Sequence, residues 1–264
     1  RFDEALVICD RALALRPADP EAHYYRGNAL RGLGRPAEAV ASYDRALALR
    51  PAFAEALNNR GNALQSLDRL DEALASYDQS LALRPEHADT LNSRGAALQR
   101  LQRLDEALVS FDRALALRPA YAGALFNRGI VLHELNRLDE ALASYDQALV
   151  LQPDYPEALN NRGNTLQGMD RPEEALASFD RALALRPGFA GALNNRGNTM
   201  QSLKRPAEAL ASFDRALALE PDDPATLNNR GNSLESLDRP AEALASVDRA
   251  LALRPEYADA LNNR

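Results

Sequence analysis

The fold is decided by residues 54–87, which read AEALNNRGNALQSLDRLDEALASYDQSLALRPEH. In the first half of this stretch, Leu57, Gly61 and Leu64 recur at the spacing of one face of an α-helix, and Leu67 extends the same stripe. The pattern predicts an amphipathic helix of roughly a dozen residues whose apolar face packs on another element.

The second half of the stretch predicts another helix. A stripe of helical spacing runs from Leu70 through Tyr77 to Leu81, after a short turn at Asp68-Arg69. Pro85 ends this helix, because proline has no N–H and disfavours helical geometry in the residue before it. Residues 54–87 therefore predict a hairpin of two helices.

The hairpin recurs along the whole chain with a period of 34 residues. The period is marked by prolines 17, 51, 85, 119, 153, 187, 221 and 255 and by glycines 27, 61, 95, 129, 163, 197 and 231. A fixed period of this size indicates a repeated supersecondary unit, and one hairpin buries its apolar face only against a stacked neighbour. We expect seven repeats, at residues 20–53, 54–87, 88–121, 122–155, 156–189, 190–223 and 224–257. Residues 1–19 are predicted to form the second helix of a truncated leading repeat, and residues 258–264 to begin a further one.

The small and large residues of the hairpin are predicted to fit each other. Gly61 and Ala73 permit two helix axes to approach closely, and Tyr77 fills the wedge beside that contact. The pattern resembles the tetratricopeptide repeat, W-x2-L-G-x2-Y…A-x3-F…P. The residues that carry the resemblance are Leu57, Gly61, Leu64, Ala73, Tyr77 and Pro85. The resemblance covers essentially the whole chain and implies an all-α, right-handed superhelical α-solenoid whose first helices line the concave side.

Arginine replaces the leucine that this family carries just before the glycine. The seven arginines are Arg26, Arg60, Arg94, Arg128, Arg162, Arg196 and Arg230. An unpaired charge inside the buried stripe would be costly, and every second helix carries an aspartate beside its large apolar residue. We expect each arginine to pair with one of these aspartates, in its own or an adjacent repeat. The alternative is that the arginines extend to water.

The composition narrows the class of function. The chain has 264 residues, a formal net charge of −7 and one cysteine, so a nucleic-acid partner is disfavoured and an internal disulfide is excluded. No apolar run approaches the length of a membrane span, and we expect a cytoplasmic protein without a membrane partner. No cofactor or metal is predicted.

Catalytic residues are not evident either. His23 takes the place of the family's tryptophan, His87 lies in a predicted turn, and Cys9 occupies the place of the large apolar residue of the truncated repeat. No nucleophile, acid–base pair or metal-binding cluster is brought together by this pattern, so we predict that the chain is not an enzyme.

The predicted binding site is the concave face of the first helices, opposite the Leu-Gly-Leu stripe. Asparagine is a poor helix former, so its repeated appearance there needs a cause other than helix stability. A carboxamide offers a donor and an acceptor that match a peptide backbone. The predicted peptide-binding residues are Tyr24, Asn28, Asn58, Asn59, Asn62, Asn92, Phe126, Asn127, Ile130, His133, Asn160, Asn161, Asn164, Asn194, Asn195, Asn198, Asn228, Asn229 and Asn232. The alternative is a merely soluble lining that recent duplication has fixed.

The same asparagines extend the resemblance. The bacterial-type array is similar to the repeat arms of O-linked N-acetylglucosamine transferase-like proteins, which carry asparagine just ahead of the same glycine, as Asn59, Asn127, Asn161, Asn195 and Asn229 do here. That similarity implies a groove that holds a peptide. The family's carboxylate clamp for chaperone tails requires several groove cations, and only Arg31 and Arg100 are present at such places.

The lining is not uniform, because Phe126 and Ile130 form an apolar pair at i, i+4. Exposed aromatic residues on a polar surface are typical of binding hot spots. We therefore predict a protein-interaction scaffold that binds an extended peptide or partner protein in an Asn/Gln-lined groove. The alternatives are the substrate-recruiting arm of a larger enzyme, such as a glycosyltransferase, and a structural array that self-associates through uncapped repeat ends.

Overall fold

The structure is a computed structural model that describes residues 1–264, and it consists of sixteen α-helices without a strand. The chain divides into two compact units, residues 1–135 and residues 136–264. The first unit comprises α1 (Phe2–Leu15), α2 (Pro20–Gly32), α3 (Pro36–Leu49), α4 (Ala54–Ser66), α5 (Leu70–Leu83), α6 (Ala88–Arg100), α7 (Leu104–Leu117) and α8 (Ala122–Glu134). The second comprises α9 (Leu138–Leu151), α10 (Pro156–Gly168), α11 (Pro172–Leu185), α12 (Ala190–Ser202), α13 (Pro206–Leu219), α14 (Pro224–Ser236), α15 (Pro240–Leu253) and α16 (Ala258–Asn262).

Helices pack in hairpins within each unit. The closest pairs are α2–α3, α4–α5 and α6–α7 in the first unit, and α10–α11, α12–α13 and α14–α15 in the second. The first helices of successive hairpins also contact each other, whereas the second helices make no comparable contact. Each unit is therefore an α-solenoid that curves toward its first helices, and the predicted fold class is confirmed.

The turn inside each hairpin is a helix C-cap with one left-handed residue. In α4 the N–H of Arg69 donates to the carbonyl of Leu64 at 3.0 Å and the N–H of Asp68 donates to that of Gln65 at 3.2 Å, with Asp68 at φ 61°. Six other turns repeat this conformation, at Gly34, Gln102, Asn136, Asp170, Lys204 and Asp238. Glycine, asparagine and aspartate tolerate the left-handed region, whereas Gln102 and Lys204 are strained there.

The core of a hairpin depends on one small and one large residue. The Tyr77 ring is fully buried and lies so close to Gly61 that a Cβ on this glycine would stand 2.5 Å from the ring. The predicted pairing of small and large residues is therefore confirmed. The other pairs of this kind are Gly27 with Tyr43, Gly95 with Phe111, Gly163 with Phe179, Gly197 with Phe213 and Gly231 with Val247.

The arginine before five of these six glycines bridges two second helices, and Arg230 bonds only the preceding one, through Asp214. Arg60 donates from Nε to Asp44 Oδ1 at 2.6 Å and from Nη1 to Ser76 Oγ at 2.6 Å. The predicted arginine–aspartate pairing is confirmed, and the partner lies in the second helix that precedes the arginine in the chain. The side chain of Arg60 is 23% exposed and that of Asp44 is 51% exposed, so the pair sits at the edge of the core rather than inside it. The other pairs are Arg26–Asp10, Arg94–Asp78, Arg128–Asp112, Arg162–Asp146, Arg196–Asp180, Arg230–Asp214 and Arg264–Asp248.

Candidate functional site

The surface of interest is the inner face of each unit, which we define by the fifth, sixth and ninth residues of the first helices. Most of these residues are partly exposed, including Asn58, Asn59 and Asn62 of α4. Asn160 and Asn228 differ from the sequence-based expectation, because they are only 8% and 3% exposed. A neighbouring first helix covers both, so neither amide lies open to a ligand.

Asparagines at the sixth place join successive first helices. Asn127 donates from Nδ2 to Asn92 Oδ1 at 3.1 Å in the first unit. The corresponding bonds of the second unit are Asn195 to Asn160 at 3.0 Å, Asn229 to Asn194 at 3.4 Å and Asn263 to Asn228 at 3.0 Å. We call these four bonds the amide ladder. Because its donors are engaged within the protein, the ladder supplies a structural reason for asparagine that the sequence pattern did not reveal.

Between α2 and α4, the asparagine at the sixth place bonds a tyrosine and a ninth-place asparagine instead of a fifth-place asparagine. Asn59 donates to Asn28 Oδ1 at 2.8 Å and to the Tyr24 hydroxyl at 3.2 Å. Asn58 donates to Asn59 at 3.2 Å and accepts a bond from the Thr90 hydroxyl at 2.9 Å. The fifth and sixth residues of α4 are thus bound to the helices on both sides of it.

Asparagines at the ninth place keep a free donor. The side-chain oxygens of Asn28, Asn62 and Asn198 accept bonds from Tyr43, Tyr77 and Asn229. No fully buried side-chain nitrogen or oxygen lacks a partner in the protein, and the ninth-place asparagines are partly exposed, so their unbonded amide nitrogens have access to solvent. The Nδ2 atoms of all five ninth-place asparagines, Asn28, Asn62, Asn164, Asn198 and Asn232, make no bond in the protein, and the same holds for Asn161, Asn194 and Asn228, which only accept.

The first unit also presents aromatic and apolar residues on this face. Tyr24 packs against Phe53 and Tyr25, with ring centroids 4.9 Å and 5.2 Å away, and Tyr25 is 58% exposed. Phe126 and Ile130, one turn apart on α8, are partly exposed. His133 lies on the same helix and is also partly exposed.

Ion pairs form the rim where first helices begin. Arg118 donates to both carboxylate oxygens of Asp89, at 2.9 Å and 3.1 Å, and this hydrogen bonding lowers the pKa of Asp89. Equivalent pairs are Glu21–Arg50, Glu55–Arg84 and Glu157–Arg186. Arg100 is held by Asp68, so a clamp of several free cations for a carboxylate is not assembled here.

Two of the three residues considered for catalysis bond the protein's own backbone. His87 caps α6, since its Nδ1 accepts the N–H of Thr90 at 3.3 Å, and His23 bonds the carbonyl of Pro17 at 2.9 Å. Burial raises the pKa of the Cys9 thiol, which is the opposite of what a nucleophilic cysteine needs. No three histidine, cysteine, aspartate or glutamate side chains are grouped so as to hold a metal ion. None of the helices has the length and apolarity needed to cross a membrane.

Stacked helical hairpins with an open inner face define an α-solenoid repeat protein. Family profiles agree with this class: the tetratricopeptide repeat profile matches residues 53–120 and 188–256, a second matches 156–189, and a TPR repeat profile matches 27–68 and 129–170. The chain belongs to the tetratricopeptide repeat family. No curated protein sequence matches the chain significantly.

Solved structures share the fold at low sequence identity. The Cut9–Hcn1 assembly of the APC/C contains a chain that is 17% identical over all of this protein with a TM-score of 0.75, and the match spans 52% of that chain. A tetratricopeptide repeat protein from Parabacteroides merdae is 18% identical over 92% of this protein and 96% of its own length, with a TM-score of 0.71. YrrB, described as a TPR protein with an unusual peptide-binding site, is 22% identical over 70% of this protein and 96% of its own length, with a TM-score of 0.59.

Proposed function

We propose that the protein is a non-catalytic scaffold that binds an extended segment of another protein on the inner faces of its first helices. The observation that carries the proposal is the set of ninth-place asparagines, whose amide nitrogens face solvent on both units. Each is held by its helix at a fixed place, and a donor of this kind matches the carbonyl groups of an extended backbone.

Hydrogen bonds within the protein favour some of the predicted residues over others as contacts for the ligand. The donors of the amide ladder, on Asn127, Asn195, Asn229 and Asn263, are bonded to neighbouring helices, so these four amide nitrogens are unavailable unless the protein's own bonds break. The proposed contacts are therefore the ninth-place amides, with Tyr25, Phe126 and Ile130 as the apolar contacts of the first unit. Protein and peptide partners of family members, YrrB among them, are in keeping with this assignment.

A peptide that offers only its backbone tests the proposal. The intact chain would be titrated into a fluorescein-labelled peptide of serine, glycine and threonine that is long enough to pass several first helices, and binding followed by anisotropy. A triple variant of the second unit, Asn164→Ala, Asn198→Ala and Asn232→Ala, is expected to weaken binding by at least tenfold, because three donors are lost.

The matched control removes three exposed amides that lie outside the first helices, through Gln79→Ala, Gln147→Ala and Gln152→Ala. We expect this control to bind as tightly as the unaltered chain. Equal affinities for both triple variants would remove the ninth-place amides from the site, and no binding by the unaltered chain would overturn the proposed function.

A further inference from the structure

A small cavity of the first unit lies between α2, α4, the end of α5 and the start of α6. Its volume is about 210 Å³, which is below the range of pockets that hold a drug-sized ligand and suits one side chain. We call it the junction cavity, and its lining includes Tyr24, Glu55, Asn58, Ser80, Arg84 and His87.

Three of these residues depart from the pattern of the repeats. Ser80 stands where the other second helices have alanine, at Ala12, Ala46, Ala114, Ala148, Ala182, Ala216 and Ala250. Tyr24 stands where the other first helices have asparagine or, at one place, phenylalanine. His87 is the only histidine at its place in the repeat. The hairpin does not require any of the three, and all of them meet at one cavity.

The charge of the cavity favours an uncharged guest. Glu55 and Arg84 neutralise each other in an ion pair of 2.5 Å. A carboxylate entering the cavity would compete with Glu55 for the guanidinium, and an ammonium would compete with Arg84 for the carboxylate. A neutral side chain leaves the pair intact.

The polar groups of the cavity favour a guest with a hydroxyl tip. Nδ1 of His87 is engaged by Thr90, at 2.7 Å from its hydroxyl and 3.3 Å from its N–H, so Nε2 is the ring nitrogen left for a guest, and a hydroxyl can bond it in either tautomer. The Ser80 hydroxyl donates to the carbonyl of Ala54 at 2.8 Å, so its oxygen is left as an acceptor. A phenolic hydroxyl both accepts and donates, and its ring would pack on Tyr24, as Phe53 already does at 4.9 Å.

We infer that the junction cavity selects a tyrosine side chain of the bound segment. The inference rests on the proposed function, since the tyrosine belongs to a peptide held on the inner face. The two corresponding places of the second unit have Asn160, Ala216 and Asp223, and Asn194, Ala250 and Tyr257, where the cavity has Tyr24, Ser80 and His87. Neither set has a ring at the place of Tyr24, a hydroxyl at that of Ser80 or an imidazole, so the selectivity belongs to the first unit.

Guest peptides test the inference. The serine–glycine–threonine peptide would carry one central guest residue, which is tyrosine, phenylalanine, alanine, glutamate or lysine, and the intact chain would be titrated into each. We expect the tyrosine peptide to bind at least fivefold more tightly than each of the other four. Tyr24→Asn, which restores the residue of most other repeats, is expected to abolish that preference, as is Ser80→Ala.

The control is Phe126→Asn, the same replacement at the matching place of α8. This variant is expected to lower the affinity for all guest peptides while the preference for tyrosine is retained. Equal binding of all guests, or a preference that survives both Tyr24→Asn and Ser80→Ala, would overturn the inference while leaving the proposed function intact. Binding of no guest would overturn both.

Discussion

The two units are built from the same hairpin but differ on their inner faces. In the second unit α10, α12 and α14 each carry asparagine at the fifth, sixth and ninth places, whereas in the first unit only α4 does so. The first unit has 17 basic and 18 acidic residues, and the second has 14 basic and 20 acidic residues. Residues that pack between helices are held constant by sterics, whereas residues that face solvent are free to diverge. We therefore expect the stability of each unit to depend on the residues that the two units share, and any selectivity for a ligand to depend on the residues in which they differ.

The largest expected effect comes from a glycine-to-alanine change in a hairpin core, made once in each unit to compare how tightly the two cores are packed. Gly61→Ala and Gly197→Ala place a Cβ about 2.5 Å and 2.4 Å from the rings of Tyr77 and Phe213. We expect each change to lower the free energy of unfolding by about 3 kcal/mol, because neither ring can move within a packed core. Urea denaturation measures the effect in both variants.

The controls for these two changes are Gly123→Ala and Gly191→Ala, one in each unit. Their added Cβ would meet the nearest side-chain atom at 3.4 Å and 3.6 Å, which permits ordinary contact. We expect no loss of stability and a gain of up to about 1 kcal/mol, since alanine is the better helix former. A loss in the controls as large as in the core variants would contradict the steric explanation.

The next largest effect concerns the apolar pair of the first unit. Phe126→Ala and Ile130→Asp are expected to weaken peptide binding about tenfold, which corresponds to about 1.4 kcal/mol, without changing helicity. Fluorescence anisotropy and far-ultraviolet circular dichroism give the two readouts. Unchanged affinity in both variants would show that the first unit binds through its amides alone.

A third prediction separates the two kinds of asparagine in the second unit. Asn195→Ala removes the donor to the buried Asn160 and is expected to lower the free energy of unfolding by about 1 kcal/mol, and the Asn161/Asn195 double alanine variant, which also removes the acceptor of Asn160, by more. Asn164→Ala removes no bond within the protein and is expected to leave the stability unchanged while weakening binding. If thermal denaturation shows the same stability for both variants, the amide ladder has no structural role.

A fourth prediction compares the arginine–aspartate pairs of the two units. Asp112→Ala and Asp146→Ala each leave a partly buried guanidinium without its carboxylate, and we expect losses of about 0.5–1 kcal/mol. Arg128→Leu, which restores the leucine of the family pattern, is expected to be tolerated. An unchanged melting temperature after both aspartate replacements would mean that water replaces the carboxylate as a partner of these arginines at no cost in stability.

The smallest expected effect lies in the hairpin turns. Lys204 and Gln102 hold left-handed backbone at φ 57° and 58°. Lys204→Gly and Gln102→Gly are expected to raise the free energy of unfolding by about 0.5 kcal/mol, because the relief of strain exceeds the entropy that glycine loses on folding. Asp68→Gly is the control, and a smaller change is expected there because aspartate already tolerates this conformation.

Much of the fold was predictable from the sequence, because every repeat must satisfy the same packing constraints. The fit of Gly61 against Tyr77, the end of α5 before Pro85 and the pairing of Arg60 with an aspartate each follow from sterics or from the cost of an unpaired charge. The candidate site was less predictable. A helical wheel places Asn160 and Asn164 on one face, but only the approach of the next first helix decides that the former is covered and the latter is open.

The junction cavity was also not predictable from the sequence. The sequence shows that serine replaces alanine at Ser80. It does not show that Ser80 shares a cavity with Tyr24 and His87, which lie 56 and 7 residues away in the chain. The spacing of apolar residues along the chain determined the hairpin, its period and its family, because those are local properties of a helix and its nearest neighbour. Which amides are bound, which are free and which side chains share a cavity was decided only by the stacking of successive hairpins, because stacking alone sets the distances between residues that are a full repeat apart.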